Sequence, residues 1–358
     1  MKLRHALLGL CLALLPVVPA AGILDWFSSE PEVNYAPPTP EEVATANELF
    51  DKAVAFRREG QVGKAVETLE EIARDYSNTI FAPDALLLIS AYERGQGKPK
   101  DAFQTTQRLV QRYPSYERFD RVIELQYSLA ASFVGKEPTG LRRLLPGLYQ
   151  PRTAMDLFEK VLQNAPYSEL APQALYNIAL IAQRENDTEM AIDALDRLIN
   201  RYPGSEVIPT AYFSMGQLFA GLIQGSQYDQ GTTLEAMSYF EDFLILFPES
   251  RFVPEAETSL REVSEIYAGS KLLLGEFYYV DRGETEAAEV FYNEAITVAP
   301  DTEAAALARE RIERIEAGER RPRSKFRLKT ERLKKQVEAY FEARWEEWRI
   351  RPDLGQVE

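Results

Sequence analysis

Four stretches of this chain, "DYSNTIFAPDALL", "NAPYSELAPQALY", "RYPGSEVIPTAYF" and "LFPESRFVPEAET", repeat one pattern. In each a turn residue, Ser77, Pro166, Pro203 or Pro248, is followed six positions later by Pro83, Pro172, Pro209 or Pro254. A proline cannot continue the i to i−4 bonding of a helix and pushes its predecessor into extended geometry, so the first proline of a pair closes a helix. The second is placed to open one, where its missing N–H costs nothing. Turn-to-turn spacing is 37 residues from Ser77 to Pro114 and again 37 from Pro166 to Pro203. A period of that length marks stacked helix pairs, because one pair cannot bury its apolar faces alone.

Between the turns lie two amphipathic stretches each, separated by breaks such as Glu59-Gly60 and Asn186-Asp187. In the first repeat Ala53, Phe56, Gly60, Ala65, Leu69, Ile72 and the turn at Ser77 follow the small, aromatic, turn, small, bulky order of a tetratricopeptide unit. Ala102, Ala191, Ala236 and Ala288 fall at the position of Ala65 in later repeats, where a small side chain lets two antiparallel helices approach. Wider gaps mark insertions, at Gly135 to Arg152 and at Gln224 to Thr233; the surplus between Pro248 and Pro300 is assigned to an extra helix, Pro254 to Tyr267, ahead of another pair. The fold expected is all-α: a tetratricopeptide-repeat, right-handed α-solenoid of five helix pairs plus an extra helix and a long C-terminal helix. Residues 41–315 form the solenoid and 316–358 a basic amphipathic helix and tail.

The chain opens with Lys2 and Arg4, continues through an apolar run from Ala6 to Val18, and reaches a small-residue site at Val18, Pro19 and Ala20. That order reads as a secretory signal over residues 1–20, too short to span a bilayer as a helix, followed by an extended arm over 21–40. In the arm, Trp26 and Phe27 are either an anchor for a partner or packing against the first repeat. Cys11 is the single cysteine and His5 the single histidine, and both fall inside the expected signal. A processed chain therefore has no thiolate and no imidazole. Disulfides, thiol nucleophiles, histidine bases and the usual zinc sites are excluded with them. Cys11 follows Leu10 in mid-signal, so no lipidation site is expected.

The net charge of −15 is unevenly spread. Glu319 to Arg351 holds twelve Lys and Arg against six Glu, leaving 29 basic and 50 acidic residues elsewhere. Such an acidic body repels nucleic acid, and acidic residues interleave along the basic tail, so no nucleic-acid partner is expected. Carboxylate doublets such as Glu70-Glu71 and Glu346-Glu347 point about 100° apart on a helix and cannot aim at one substrate atom. With no phosphate loop or nucleotide fingerprint either, no catalytic residue, cofactor or metal is assigned.

The stretches "NELFDKAVAFRREGQVGKAVETLEEIARDYSNTIFAPDALL", "TAMDLFEKVLQNAPYSELAPQALYNIA" and "FPESRFVPEAETSLREVSEIYAGSKLLLGEFYYVDRGETEAAEVFYNEAITVAPDT" resemble the BamD family, tetratricopeptide-repeat lipoproteins of outer-membrane β-barrel assembly. The last is the most specific, with its extra helix, a helix ending in aromatics, and the turn at Arg282 and Gly283. The resemblance covers residues 41–315, without the lipidated cysteine of the family. It implies a periplasmic scaffold whose C-terminal repeats hold the barrel-assembly protein through one of that protein's periplasmic domains. It also implies that the N-terminal repeats receive unfolded outer-membrane proteins, and that the membrane is reached indirectly, through partners. A periplasmic adaptor of the Tol-Pal and cell-division type is the nearest rival, and a carboxylate-based hydrolase the rival from another class.

Two sets of residues follow. Tyr279, Arg282 and Gly283 are the expected partner contact, since a turn flanked by Glu284 and Glu286 should be exposed; local pairing of Arg282 with those carboxylates is the competing role. Phe50, Arg57, Tyr92 and Tyr127 are the expected lining of a peptide groove, where rings supply area and arginine meets carboxylates in fork geometry; inter-repeat core is their alternative. In the tail, Leu333, Val337, Tyr340, Phe341 and Trp348 fall on one helical stripe, able to cap the last repeat, bind a partner or lie on an anionic membrane.

Overall fold

The computed structural model describes residues 36–134, 151–319, 334–336 and 338–339. The expected signal, most of the arm, residues 135–150 of the first insertion and most of the C-terminal tail lie outside the described residues. Every regular element among the described residues is helical. In chain order these are α1 (Pro40–Arg58), α2 (Val62–Asp75), α3 (Phe81–Gly95), α4 (Pro99–Arg112), α5 (Phe119–Ser132), α6 (Pro151–Asn164), α7 (Leu170–Arg184), α8 (Thr188–Arg201), α9 (Ile208–Gly221), α10 (Gly231–Leu246), α11 (Val253–Glu276), a π-helix (Phe277–Arg282), α12 (Thr285–Val298) and α13 (Glu303–Glu316). No helix of the described residues is long and apolar enough to cross a membrane.

The chain divides into two compact units, residues 1–119 and 120–358. In the first, α1 to α4 pack each on the next. In the second, α6 to α13 do the same, and α5 joins through Tyr127, whose ring meets Phe158 of α6 edge-on at 5.3 Å. The alanines assigned to close approach, Ala65, Ala102, Ala191, Ala236 and Ala288, are all fully buried.

Turns inside the pairs are built alike. Gly60 (φ 78°), Gly97 (φ 74°) and Asn186 (φ 59°) take the left-handed conformation that ends a helix. The following N–H then reaches back five residues: Gln61 to the Phe56 carbonyl (2.8 Å), Lys98 to Glu93 (2.9 Å) and Asp187 to Ala182 (2.8 Å). These bonds satisfy carbonyls that the helix end would otherwise leave open. The repeat-boundary prolines behave as their chemistry requires: Pro83, Pro172, Pro209 and Pro254 all fall within the first three residues of α3, α7, α9 and α11.

Successive repeats are tied by a clamp that recurs at fixed spacing. In the first unit both guanidinium nitrogens of Arg108 (α4) meet both oxygens of Glu70 (α2) at 3.1 Å, and the Tyr113 hydroxyl donates to the Ser77 carbonyl at 2.9 Å. In the second, Arg197 (α8) meets Glu159 (α6) at 2.6 and 3.0 Å, and Tyr202 donates to the Pro166 carbonyl at 2.7 Å. Glu70, half of a doublet given no catalytic role from the sequence, is thus half of an inter-repeat fork.

One boundary differs from expectation. The extra helix expected to stop at Tyr267 runs on without interruption to Glu276, giving a 24-residue α11 that packs on both α12 and α13. Gly275, inside that continuation, marks a close approach: a Cβ there would sit 2.5 Å from the Tyr292 ring of α12. Buried glycine in a helix costs about 1 kcal/mol of propensity, and the approach it permits offsets that.

Candidate partner-binding surfaces

The C-terminal surface rests on a buried polar knot. Glu276, the last residue of α11, accepts from the Tyr292 hydroxyl of α12 at 2.9 Å and from Nε of Arg311 in α13 at 2.8 Å, all three side chains being buried. Its other oxygen has no partner among the described residues. Burial pushes the Glu276 carboxyl above its ordinary value, and Arg311 and the Tyr292 hydroxyl pull it back. Tyr292 is pushed upward as well, by burial and by the adjacent Glu276 carboxylate. Three helices are therefore pinned to one atom immediately before the chain leaves α-helical geometry.

The π-helix that follows wraps six residues before Gly283 (φ 78°, ψ 21°) stops it, with the Glu284 N–H donating to the Tyr278 carbonyl at 2.9 Å. Such wide turns are rare and recur at functional positions. Here the turn sorts the aromatic run by depth. Tyr279, expected as part of the partner contact, is 1% exposed and belongs to the core with Leu272 and Tyr292, so it offers no surface to a partner. Tyr278 stacks on Phe291 of α12 at 5.3 Å, and Phe277, 41% exposed, stands edge-on to Tyr278 at 5.4 Å.

Arg282 is exposed, and its guanidinium lies 5.4 Å over the Phe277 ring. The competing role foreseen for it, pairing with Glu284 or Glu286, is not the contact recorded; it stacks on a ring instead. Leu274 of α11 and Val290 of α12, at 40% and 64% exposure, add apolar area on the helices either side of the π-helix. Beyond Tyr278, Lys271 sits over the Tyr267 ring at 4.6 Å and pairs with Glu294 at 2.7 Å. A cation held against an exposed ring, with aliphatic groups alongside, suits a protein surface that brings apolar side chains and a carboxylate together. Phe277 was missed by sequence reasoning. Its signal was there, one helical turn from Leu274 and adjacent to the tyrosines.

The second set of residues divides between the two units. In the first, Phe50 of α1 lies 5.8 Å from Phe81 of α3, and Arg57 stands over the Tyr92 ring at 5.4 Å. Two lysines that the sequence reading did not single out, Lys52 and Lys64, flank the Phe56 ring at 5.8 and 5.5 Å. Tyr127 belongs to the second unit. Its hydroxyl accepts from the Asn177 amide at 2.7 Å and burial pushes its pKa up, which is the behaviour of packing between pairs.

Stacked tetratricopeptide pairs that display aromatic and cationic surface define a tetratricopeptide-repeat scaffold. A tetratricopeptide-repeat profile matches residues 49–79 and 84–116, and the profile of the YfiO family, described as an outer membrane lipoprotein family, matches residues 146–324, half of the chain. The chain belongs to that family. Curated relatives include the outer membrane protein assembly factor BamD of Rickettsia prowazekii, 29% identical over 36% of this chain and 51% of the relative, and that of Caulobacter vibrioides, 27% identical over 47% and 51%. The chain thus spans about half the length of the curated relatives it matches. A solved tetratricopeptide repeat protein from Parabacteroides merdae covers 75% of this chain and 98% of its own at 14% identity, with a TM-score of 0.30, which carries no argument.

Proposed function

We propose that this chain is a non-catalytic periplasmic scaffold of outer-membrane protein assembly. Its C-terminal repeats bind the barrel-assembly protein through a periplasmic domain of that protein, with Arg282 and Gly283 forming the contact. Its N-terminal repeats accept unfolded outer-membrane proteins, with Phe50, Arg57 and Tyr92 of the first unit lining the site. Association with the outer membrane is then indirect, through these partners. The observation that carries the reading is the presentation of Arg282: exposed, backed by Phe277, and set on the left-handed Gly283 turn within the span of the family match.

Affinity purification of the full chain from a membrane extract, wild type beside Arg282→Glu, tests it. The barrel-assembly protein is expected with the wild type, and the reversal of charge should weaken that complex by about 2 kcal/mol or more. Melting should move little, because a surface cation resting on a ring contributes about 0.5–1 kcal/mol. Normal binding by the variant removes Arg282 from the contact, while recovery of Tol-Pal components in place of the barrel-assembly protein replaces the reading with the adaptor one.

A further inference from the structure

The helix pairs of this chain are joined by three residues at 59–61, 96–98 and 185–187, but α9 and α10 are joined by nine, 222–230. Those nine residues are folded into a defined shape. The Gln230 amide donates to the carbonyls of Gly225 (3.2 Å) and Tyr228 (2.8 Å), the Gly231 N–H donates to Asp229 Oδ2 (3.2 Å), and Ile223 and Gly225 are buried. Ser226 leans on α11 at Gly269. A connection so constrained has something to hold. Its Gln227 Nε2 donates to Oε1 of Glu338 at 3.0 Å, a residue 111 positions later in the C-terminal tail.

We propose that the α9–α10 connection is the docking seat of the chain's own C-terminal segment. The two features by which the chain departs from its repeat pattern, the long connection and the basic tail, meet each other, and the tail residue involved lies beyond the end of the family match at 324. Charge favours the pairing: the segment 319–351 carries twelve basic and six acidic residues, and α10 presents Glu235, Glu241 and Asp242 on its exposed surface directly after the connection. Distance permits it, since the 17 residues between Glu316 and Lys334 can span about 55 Å when extended. Lys334 and Lys335 are exposed. Docking is thus to the penultimate helix pair, not to α13 as a cap.

Cysteine pairs in the full chain, with Cys11→Ser, decide between these seats. A short bismaleimide should link Gln227→Cys to Glu338→Cys within one chain, and should link Glu313→Cys on exposed α13 to Glu338→Cys many-fold less. A second readout needs no cross-linker: trypsin cleavage at Lys334 and Lys335 should speed up several-fold in Gln227→Ala, the size of one lost hydrogen bond. Equal linkage of both pairs, preferential linkage to α13, linkage only between two chains, or cleavage indifferent to Gln227 would each overturn the proposal. None of these outcomes depends on what binds at Arg282.

Discussion

A carboxylate placed among "LLLGEFYYV" is a costly side chain to bury, and Glu276 is held there by two donors on a single oxygen. Because burial raises its native pKa above the ordinary value of 4.5, the folded state binds its proton more tightly than the unfolded chain does. Its contribution to stability is therefore full below about pH 4.5 and is lost as pH rises through the native value. Glu276→Gln removes that titration while keeping groups that can face Tyr292 and Arg311. Melting curves from about pH 4 to 7 should show the variant gaining on the wild type as pH rises; parallel curves would mean that folding does not shift the carboxyl's pKa. The residue was legible in principle as the lone acid in an apolar run. Arg311 was not, because its helix reads "RERIERIE", where nothing local separates a buried arginine from its solvated neighbours.

At the scale of elements, most of the architecture could be read because its causes are local. Prolines act on their own turn of helix, and the alanines at 65, 102, 191, 236 and 288 are visible as small residues at one repeat position. The continuation of α11 through Tyr267 escaped that reading, since whether Gly275 breaks a helix or admits a neighbour depends on Tyr292, which no local pattern reveals. The π-helix escaped it for a similar reason: it is settled by the pinning of Glu276 before it and by Gly283 after it. The turns invite a comparison of their own. Gly97 and Asn186 hold equivalent left-handed positions, at φ 74° and 59°. Gly97→Ala should cost about 1 kcal/mol, a Cβ being disfavoured there, whereas Asn186→Gly should be near neutral, the lost side chain offset by easier backbone geometry. Urea unfolding of both variants checks the difference, and equal losses would contradict it.

For the whole molecule, stability is assembled from neighbours. The Glu70–Arg108 and Glu159–Arg197 forks each sit in one unit, with side chains about a quarter to a third exposed, so each contributes about 0.2–1 kcal/mol after solvent screening. Arg108→Ala should speed amide exchange within residues 36–119 and leave the second unit at wild-type rates, and Arg197→Ala the reverse. Exchange that rises across the chain in either variant would show a cooperativity that these local ties do not supply. No sequence rule would have found the forks in a chain of 41 basic and 56 acidic residues, although their common spacing is plain once one is known. Acid and base stand 38 positions apart in both forks, one more than the 37-residue turn-to-turn spacing, so each fork reaches from one position of a repeat to the next position of the repeat that follows, and an insertion of a single residue between them would put the two halves out of step.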